Sequence, residues 1–235
     1  MNQAIILAGG LGTRLREVIS NVPKPMAPIS GRPFLEYQLD YWIKQNVNKF
    51  ILSVGYKHEA IIDHFGNNYK GAEIDYSIEE EQLGTGGGLL LAMNKLDNKS
   101  HFLLLNGDTF FSVNLKQLEH FCFKNDADIC FSLFRSLNTS RYMGVEITSQ
   151  GKITSLNNKS NDKNVLVNGG VYIIKPAFID KINFTQGKNY SFEDDIATTA
   201  LTEGHNIFGI NFETKFIDIG IPDDYHRAGS ILQTV

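Results

Sequence analysis

Short apolar runs separated by stretches of helical periodicity constrain this chain more than any other feature. Ala4 to Ala8, Phe50 to Val54, Ile74 to Ile78, Phe102 to Leu105 and Ile129 to Phe134 read as buried strands, because a strand covered on both faces shows a run of apolar residues rather than strict alternation. Between them, Phe34 to Asn46 places Leu35, Leu39 and Trp42 on one helical face, and Leu89 to Leu96 and Leu115 to Phe123 carry similar stripes. This is βαβ order, an α/β class. Strands joined through crossover helices pair in parallel, and ligands of such sheets sit beyond the strands' carboxyl ends. The loops after strands are therefore where function is expected.

The length of 235 residues suits one large unit spanning 1–235. Hydrophobic residues at 42% and charged residues at 20% are globular proportions, and no run nears the roughly 18 apolar residues of a membrane span. Met1 leads into an apolar run and then glycines with no basic segment, so a signal peptide does not fit and a cytoplasmic location is expected. The net charge of −4 and pI near 5.9 argue against a general nucleic-acid binder. Cys122 and Cys130 form no metal-ligand spacing and read as buried thiols, and the six histidines read as structural or surface residues.

After Arg135 the pattern changes. Val145 to Thr148, the turn Ser149-Gln150-Gly151 and Lys152 to Leu156 read as a hairpin, within an insertion over about 136–166 that serves as a lid or sub-domain. The polar stretch 157–164 reads as a mobile loop, before strand-like Val165 to Ile174. Helices over Phe192 to Thr202 and Asp223 to Leu232, with a short strand at Phe216 to Ile219 between them, close the chain.

Leu7-Ala8-Gly9-Gly10-Leu11-Gly12-Thr13-Arg14 follows the first strand. Glycines there let backbone N–H groups approach a phosphate, and Arg14 adds a fixed cationic fork, a combination that suits a triphosphate. A dinucleotide fingerprint would need a glycine where Leu15 stands, and no Gly-Lys-Ser/Thr ends the loop as a P-loop would. A tight turn without a ligand is the alternative. In Val22-Pro23-Lys24-Pro25 two prolines frame a lysine, either pre-positioning its ammonium for a phosphate or leaving it on an exposed loop.

Gln82-Leu83-Gly84-Thr85-Gly86-Gly87-Gly88 opens a helix, with room for a nucleobase or ribose against the backbone; packing alone would also explain such glycines. Asn106-Gly107-Asp108 ends an apolar strand at the ligand edge, and Asp218 ends another. Two hard oxygen ligands with open positions suit Mg²⁺ if the fold brings them together; each alone could equally cap a turn. Asn168-Gly169-Gly170 and Glu193-Asp194 offer partners for sugar hydroxyls, although the two acids could instead cap a helix.

Together, and in this order, the motifs from Ala4 to about Arg227 resemble the sugar-1-phosphate nucleotidyltransferases. The resemblance implies a Rossmann-like three-layer fold with a mixed, mostly parallel sheet and an inserted β-rich sugar-binding region. It implies that Leu7, Ala8, Gly9, Gly10, Gly12 and Thr13, with Gln82, Gly84, Thr85, Asn106 and Gly107, bind the nucleotide, and that Arg14 and Lys24 are catalytic. Asp108 and Asp218 would hold Mg²⁺, and Gly144, Lys159, Asn168, Gly169, Glu193 and Asp194 the sugar phosphate. Lys159 stands where the family has a lysine in a Glu-Lys-Pro segment, with different neighbours.

Within the family, Phe216 to Tyr225 and Ser191-Phe192-Glu193 look most like D-glycero-α-D-manno-heptose 1-phosphate guanylyltransferases of bacterial surface-polysaccharide pathways, except that Glu193-Asp194 replaces Glu-Lys. The implied partners are GTP and a sugar 1-phosphate, with no nucleic acid and no membrane; a homo-oligomer is left open. The alternatives are a uridylyl- or cytidylyltransferase for another sugar or alcohol phosphate, and a non-catalytic sugar-nucleotide-binding subunit.

Overall fold

In the computed structural model, which describes residues 1–10, 22–97, 100–136, 142–156 and 165–233, the apolar runs form the middle of a sheet. Its strands in chain order are β1 (Gln3–Leu7), β4 (Lys49–Val54), β5 (Asn68–Tyr69), β6 (Ala72–Ile78), β7 (Phe102–Asn106), β9 (Ile129–Ser136), β12 (Val165–Ile174) and β13 (Ile207–Asn211). Shorter ladders pair β2 (Pro28–Ile29) with β3 (Arg32–Pro33), β8 (Thr109–Phe111) with β14 (Phe216–Asp218), and β10 (Val145–Ile147) with β11 (Ile153–Leu156). The large sheet has the order β13-β9-β12-β7-β1-β4-β6-β5 among the described residues. Pairs β1/β4, β1/β7, β4/β6 and β9/β13 are parallel, while β12 runs antiparallel between β7 and β9, and β5 antiparallel beside β6.

Alternate side chains of the central strands enter two separate cores. Ala4, Ile6, Phe50, Leu52, Leu103 and Leu105 pack with Leu35, Leu39 and Trp42 of α1 (Phe34–Ile43), Ile61 and Phe65 of α2 (His58–Phe65) and Leu118 and Cys122 of α4 (Leu115–Lys124). Ile5, Ile51, Phe102 and Leu104 face the other way, onto Leu89 and Ala92 of α3 (Gly84–Ala92), Phe178 of α5 (Pro176–Ile179) and Ala200 of α6 (Thr198–Thr202). Helices on both faces make the three layers expected, and burial of both strand faces is why the runs of β1, β4, β7 and β9 read as apolar. Strand β6 departs from the expectation of a buried strand, since Asp75 and Tyr76 are only partly covered and Ile78 is exposed beside the short edge strand β5. A third, smaller cluster joins Ala27, Phe34, Phe110, Ile217 and Ile219 to Ala228 and Leu232 of α7 (Pro222–Leu232).

The hairpin β10/β11 forms as expected, and its Val145 and Ile153 are buried in the second core rather than held apart from it. The strand expected over Val165 to Ile174 is β12, with its pairing to β9 shifting register between Asn168 and Tyr172. Residues 157–164 lie outside the described residues. The expected helix over Phe192 to Thr202 begins instead as a wide π turn over Phe192–Ala197 and continues into α6.

Candidate active site

The site is built where β1, β6 and β7 end. The Gly107 N–H donates to the Leu7 carbonyl (2.9 Å), and a Cβ on Gly107 would stand 2.5 Å from that oxygen, so only glycine lets the two strand ends meet. The Ala8 N–H donates across to Ser53 of β4 (2.7 Å). These ends floor a cleft of about 340 Å³, within the range of small-ligand sites. Leu7, Ala8, Gly9 and Gly10 line it together with Asn106, Gly107 and Asp108; Gln82, Gly84 and Thr85 line it from the start of α3. Gly12, Thr13, Arg14 and Lys159 lie outside the described residues.

Lys24 opens a single 3₁₀ turn, Lys24–Met26, entered through Pro23 and continued by Pro25. Its ammonium lies 2.5 Å from Asp108 Oδ2, with the lysine side chain 10% exposed and the aspartate 38%. Asp218 arrives from the other direction: β14 pairs with β8 so that Asp218 faces Thr109, and the Ile219 N–H donates to the Asp108 carbonyl (3.0 Å). Asp218 Oδ1 accepts the Gly220 N–H (2.6 Å), and a Cβ on Gly220 would be 2.6 Å from both that oxygen and Lys24 Nζ. More than a hundred residues apart in sequence, Asp108 and Asp218 thus meet around one lysine beside the glycine turn. Among the described residues no three His, Cys, Asp or Glu side chains gather into a metal cluster. Two carboxylates that leave further coordination to phosphate oxygens are nevertheless a donor set that fits Mg²⁺.

Glu79 was not singled out by the sequence reading, yet it lines the cleft. Ser53 Oγ donates to its Oε1 (2.8 Å) and the Leu83 N–H to its Oε2 (3.3 Å). Burial pushes its carboxyl above the usual range, partly offset by these two donors. A Cβ on Gly9 or on Gly88 would stand 2.7 Å from Oε1, so both glycines make room for this side chain. The signal available was position: Glu79 comes directly after a strand, at the ligand edge. Asn189 was also missed; its Nδ2 donates to the Gln82 carbonyl (2.9 Å), and next to it the Gly86 N–H donates to the Tyr190 carbonyl (2.8 Å).

The candidate sugar residues lie on the far side of Thr85. Gly144 bridges to Val167, and the Asn168 N–H donates to the Met143 carbonyl (3.0 Å), placing Gly144 beside Asn168. A side chain on Gly169 would collide with the Phe111 ring, so the space there is taken by protein and any ligand contact would use the backbone. The acidic run divides. Glu193 turns inward, with Oε1 2.8 Å from Tyr172 Oη and Oε2 3.3 Å from Thr85 Oγ1. Asp194 is exposed; its N–H donates to Ser191 Oγ (3.0 Å), and Asp195 Oδ2 accepts the Ser191 N–H (2.7 Å).

Over residues 3–234 the sequence matches the nucleotidyl transferase family. The chain belongs to this family. It is 42% identical to a D-glycero-alpha-D-manno-heptose 1-phosphate guanylyltransferase of Aneurinibacillus thermoaerophilus, covering 98% of each chain. It is 40% identical to a protein of the same name from Campylobacter jejuni, covering 96% of this chain and 97% of that one. Among solved structures it resembles HddC from Yersinia pseudotuberculosis, with a TM-score of 0.85 and 33% identity over 98% of this chain and 99% of that one. A further structure of HddC, complexed with GMP-PN, superposes with a TM-score of 0.84. As a nucleotidyl transferase the chain has the Rossmann-like, mixed and mostly parallel sheet that its motifs implied.

Proposed function

We propose that this nucleotidyl transferase joins D-glycero-α-D-manno-heptose 1-phosphate to GTP, forming a GDP-sugar and releasing pyrophosphate. The observation that carries the transfer chemistry is the convergence of Lys24, Asp108 and Asp218 at the end of a glycine-lined cleft. The names of the similar proteins support the choice of heptose and guanine. Glu79 adds a chemical reason: guanine presents adjacent N1–H and N2–H donors on one edge, and a carboxylate lining the cleft is an acceptor for such donors. Uracil and cytosine lack that pair of donors.

An oxygen of the sugar phosphate attacks the α-phosphorus of GTP in line, and the bond to the pyrophosphate oxygen breaks. The attacking phosphate is already a nucleophile, so the work of the protein is to bring two anions together and neutralise charge at phosphorus. Lys24 supplies a positive charge held in place by Pro23 and Pro25, with Arg14 assigned a similar role on sequence. Backbone N–H groups of Gly9 and Gly10 are assigned to the phosphates, Gln82, Gly84 and Thr85 to the base and ribose, and Asn168 and Glu193 to the sugar phosphate, with Lys159 given that role on sequence. Mg²⁺ held by Asp108 and Asp218 would supply further charge neutralisation to the phosphates. The same reading assigns the enzyme to the cytosol, where nucleoside triphosphates are abundant, and to surface-polysaccharide synthesis; among the described residues no helix is long and apolar enough to cross a membrane.

The test is pyrophosphate release from each NTP, with Mg²⁺, against a panel of sugar 1-phosphates. GTP with the heptose 1-phosphate is expected to give the highest kcat/KM. Faster release with UTP or CTP would reassign the base, and binding without release in every combination would point to a non-catalytic subunit.

A further inference from the structure

Tyr172 is wholly buried where β12 passes behind the site, and the groups around its hydroxyl have determined polarity. Asn168 Oδ1 accepts the Gly170 N–H (3.0 Å), which turns the amide so that Nδ2 faces Tyr172 Oη at 2.6 Å. An amide nitrogen of this kind only donates. The phenol oxygen therefore accepts from Asn168, with the Asn106 side chain a further hydrogen-bond partner, and its single proton is directed to Glu193 Oε1, 2.8 Å away. Burial and the neighbouring Glu193 charge hold the phenol above its ordinary pKa, so that proton is retained. The opposite carboxylate oxygen receives the Thr85 hydroxyl (3.3 Å), which itself accepts the Phe192 N–H (2.8 Å). Edge-to-face contacts with Phe131 (4.9 Å) and Phe192 (4.8 Å) fix the ring.

A carboxylate offers about four lone-pair sites. Tyr172 and Thr85 occupy one on each oxygen and leave the others for donors from outside the protein. We propose that Tyr172 is a positioning residue, whose hydroxyl orients the Glu193 carboxylate, and with it Asn168, toward the hydroxyl groups of the sugar 1-phosphate. This rests on the assignment of Asn168 and Glu193 to the sugar. Thr85 ties the same carboxylate to the helix that opens the nucleotide side, so one short chain of hydrogen bonds spans both substrates' territories.

Tyr172→Phe keeps the ring and its packing and deletes the hydroxyl. With both substrates varied, it is expected to raise the KM for the sugar 1-phosphate about 10-fold while leaving the KM for GTP within about twofold, and to add nothing further in a Glu193→Gln background. If Glu193→Gln raises the sugar KM and Tyr172→Phe does not, the positioning role is overturned and the sugar assignment stands. If neither raises it, the sugar assignment fails and the proposal falls with it. Equal increases in both KM values would mean a general packing defect and also overturn the proposal. A second pair of variants serves should Tyr172→Phe fail to fold: Asn168→Ala leaves the phenol proton to Glu193, whereas Asn168→Asp competes for it. Asn168→Asp should therefore raise the sugar KM more, and equal effects would overturn the proposal.

Discussion

Lys24 and Asp108, 2.5 Å apart, balance each other's charge in the free protein, so removing either leaves a charged partner without its neighbour, besides taking away the proposed lysine contact to phosphate or one of the two carboxylates proposed to hold Mg²⁺. Lys24→Ala or Asp108→Asn is expected to lower kcat by about 10²–10³, the usual effect of deleting one group that stabilises transition-state charge. Pyrophosphate release by folded variants at the wild-type rate would remove both from the chemistry. Glu79 pulls in two directions. Its carboxyl pKa is raised by burial, so its contribution to stability is present while it is protonated and is lost as pH rises through the carboxylate range. Glu79→Gln is therefore predicted to raise the Tm of the ligand-free protein at neutral pH, with the gain shrinking in acid, and to lower kcat/KM for GTP. Calorimetry across pH and the same pyrophosphate assay measure the two halves; a lower Tm at neutral pH, or unchanged use of GTP, would contradict the account. Sequence reading singled out Lys24, Asp108 and Asp218 because each stands beside a proline or at a strand end; Glu79 also follows a strand, but in three consecutive acids, Glu79-Glu80-Glu81, the choice of inward-turning carboxylate is only weakly marked. That choice is made by Ser53 and Leu83, contacts invisible in a linear pattern.

Helix α3 shows how an element can form against its own local propensity. The apolar stripe starts only at Leu89, yet the helix begins at Gly84, within the glycine run expected to open it, and its first half is glycine-rich. Glycine costs a helix about 1 kcal/mol per residue relative to alanine, so this start is imposed from outside. The Tyr190 carbonyl accepts the Gly86 N–H, and the Tyr190 N–H donates to the Leu83 carbonyl (2.9 Å). The glycines allow that contact: a Cβ on Gly87 would collide with the Lys188 carbonyl and come 2.8 Å from Leu83 Cβ. Gly87→Ala is thus expected to destabilise by about 1–3 kcal/mol, as overpacking does, despite improving helix propensity, and to raise the KM for GTP. Urea unfolding measures the first; a stabilised variant would show that the clamp yields freely. The central strands were legible because both of their faces are buried, whereas α2, β8 and β13 were not anticipated. Each is short, and the glycine in the middle of β13 weakens the apolar signal; tertiary pairing with β9 and with β14 completes the two strands.

For the whole molecule, a nucleotide that binds only the folded state stabilises it by mass action. At a hundredfold excess over Kd this amounts to about 2.7 kcal/mol, which for a chain of this size is a rise of about 5–10 °C in Tm. GTP is expected to produce that rise and UTP or CTP at the same concentration a smaller one; equal shifts would mean that the base is not read in the binary complex. The two regions to which base recognition and transfer are assigned by this proposal are held by different means. Leu7 and Asn106 face each other across adjacent parallel strands, so the phosphate end is set by main-chain ladder geometry that a change of side chain scarcely perturbs. The base end is assembled from Glu79, the opening of α3 and the segment around Tyr190, which meet through individual side-chain and loop contacts. A descendant could therefore exchange one nucleobase for another by a handful of replacements there, inheriting its reaction intact.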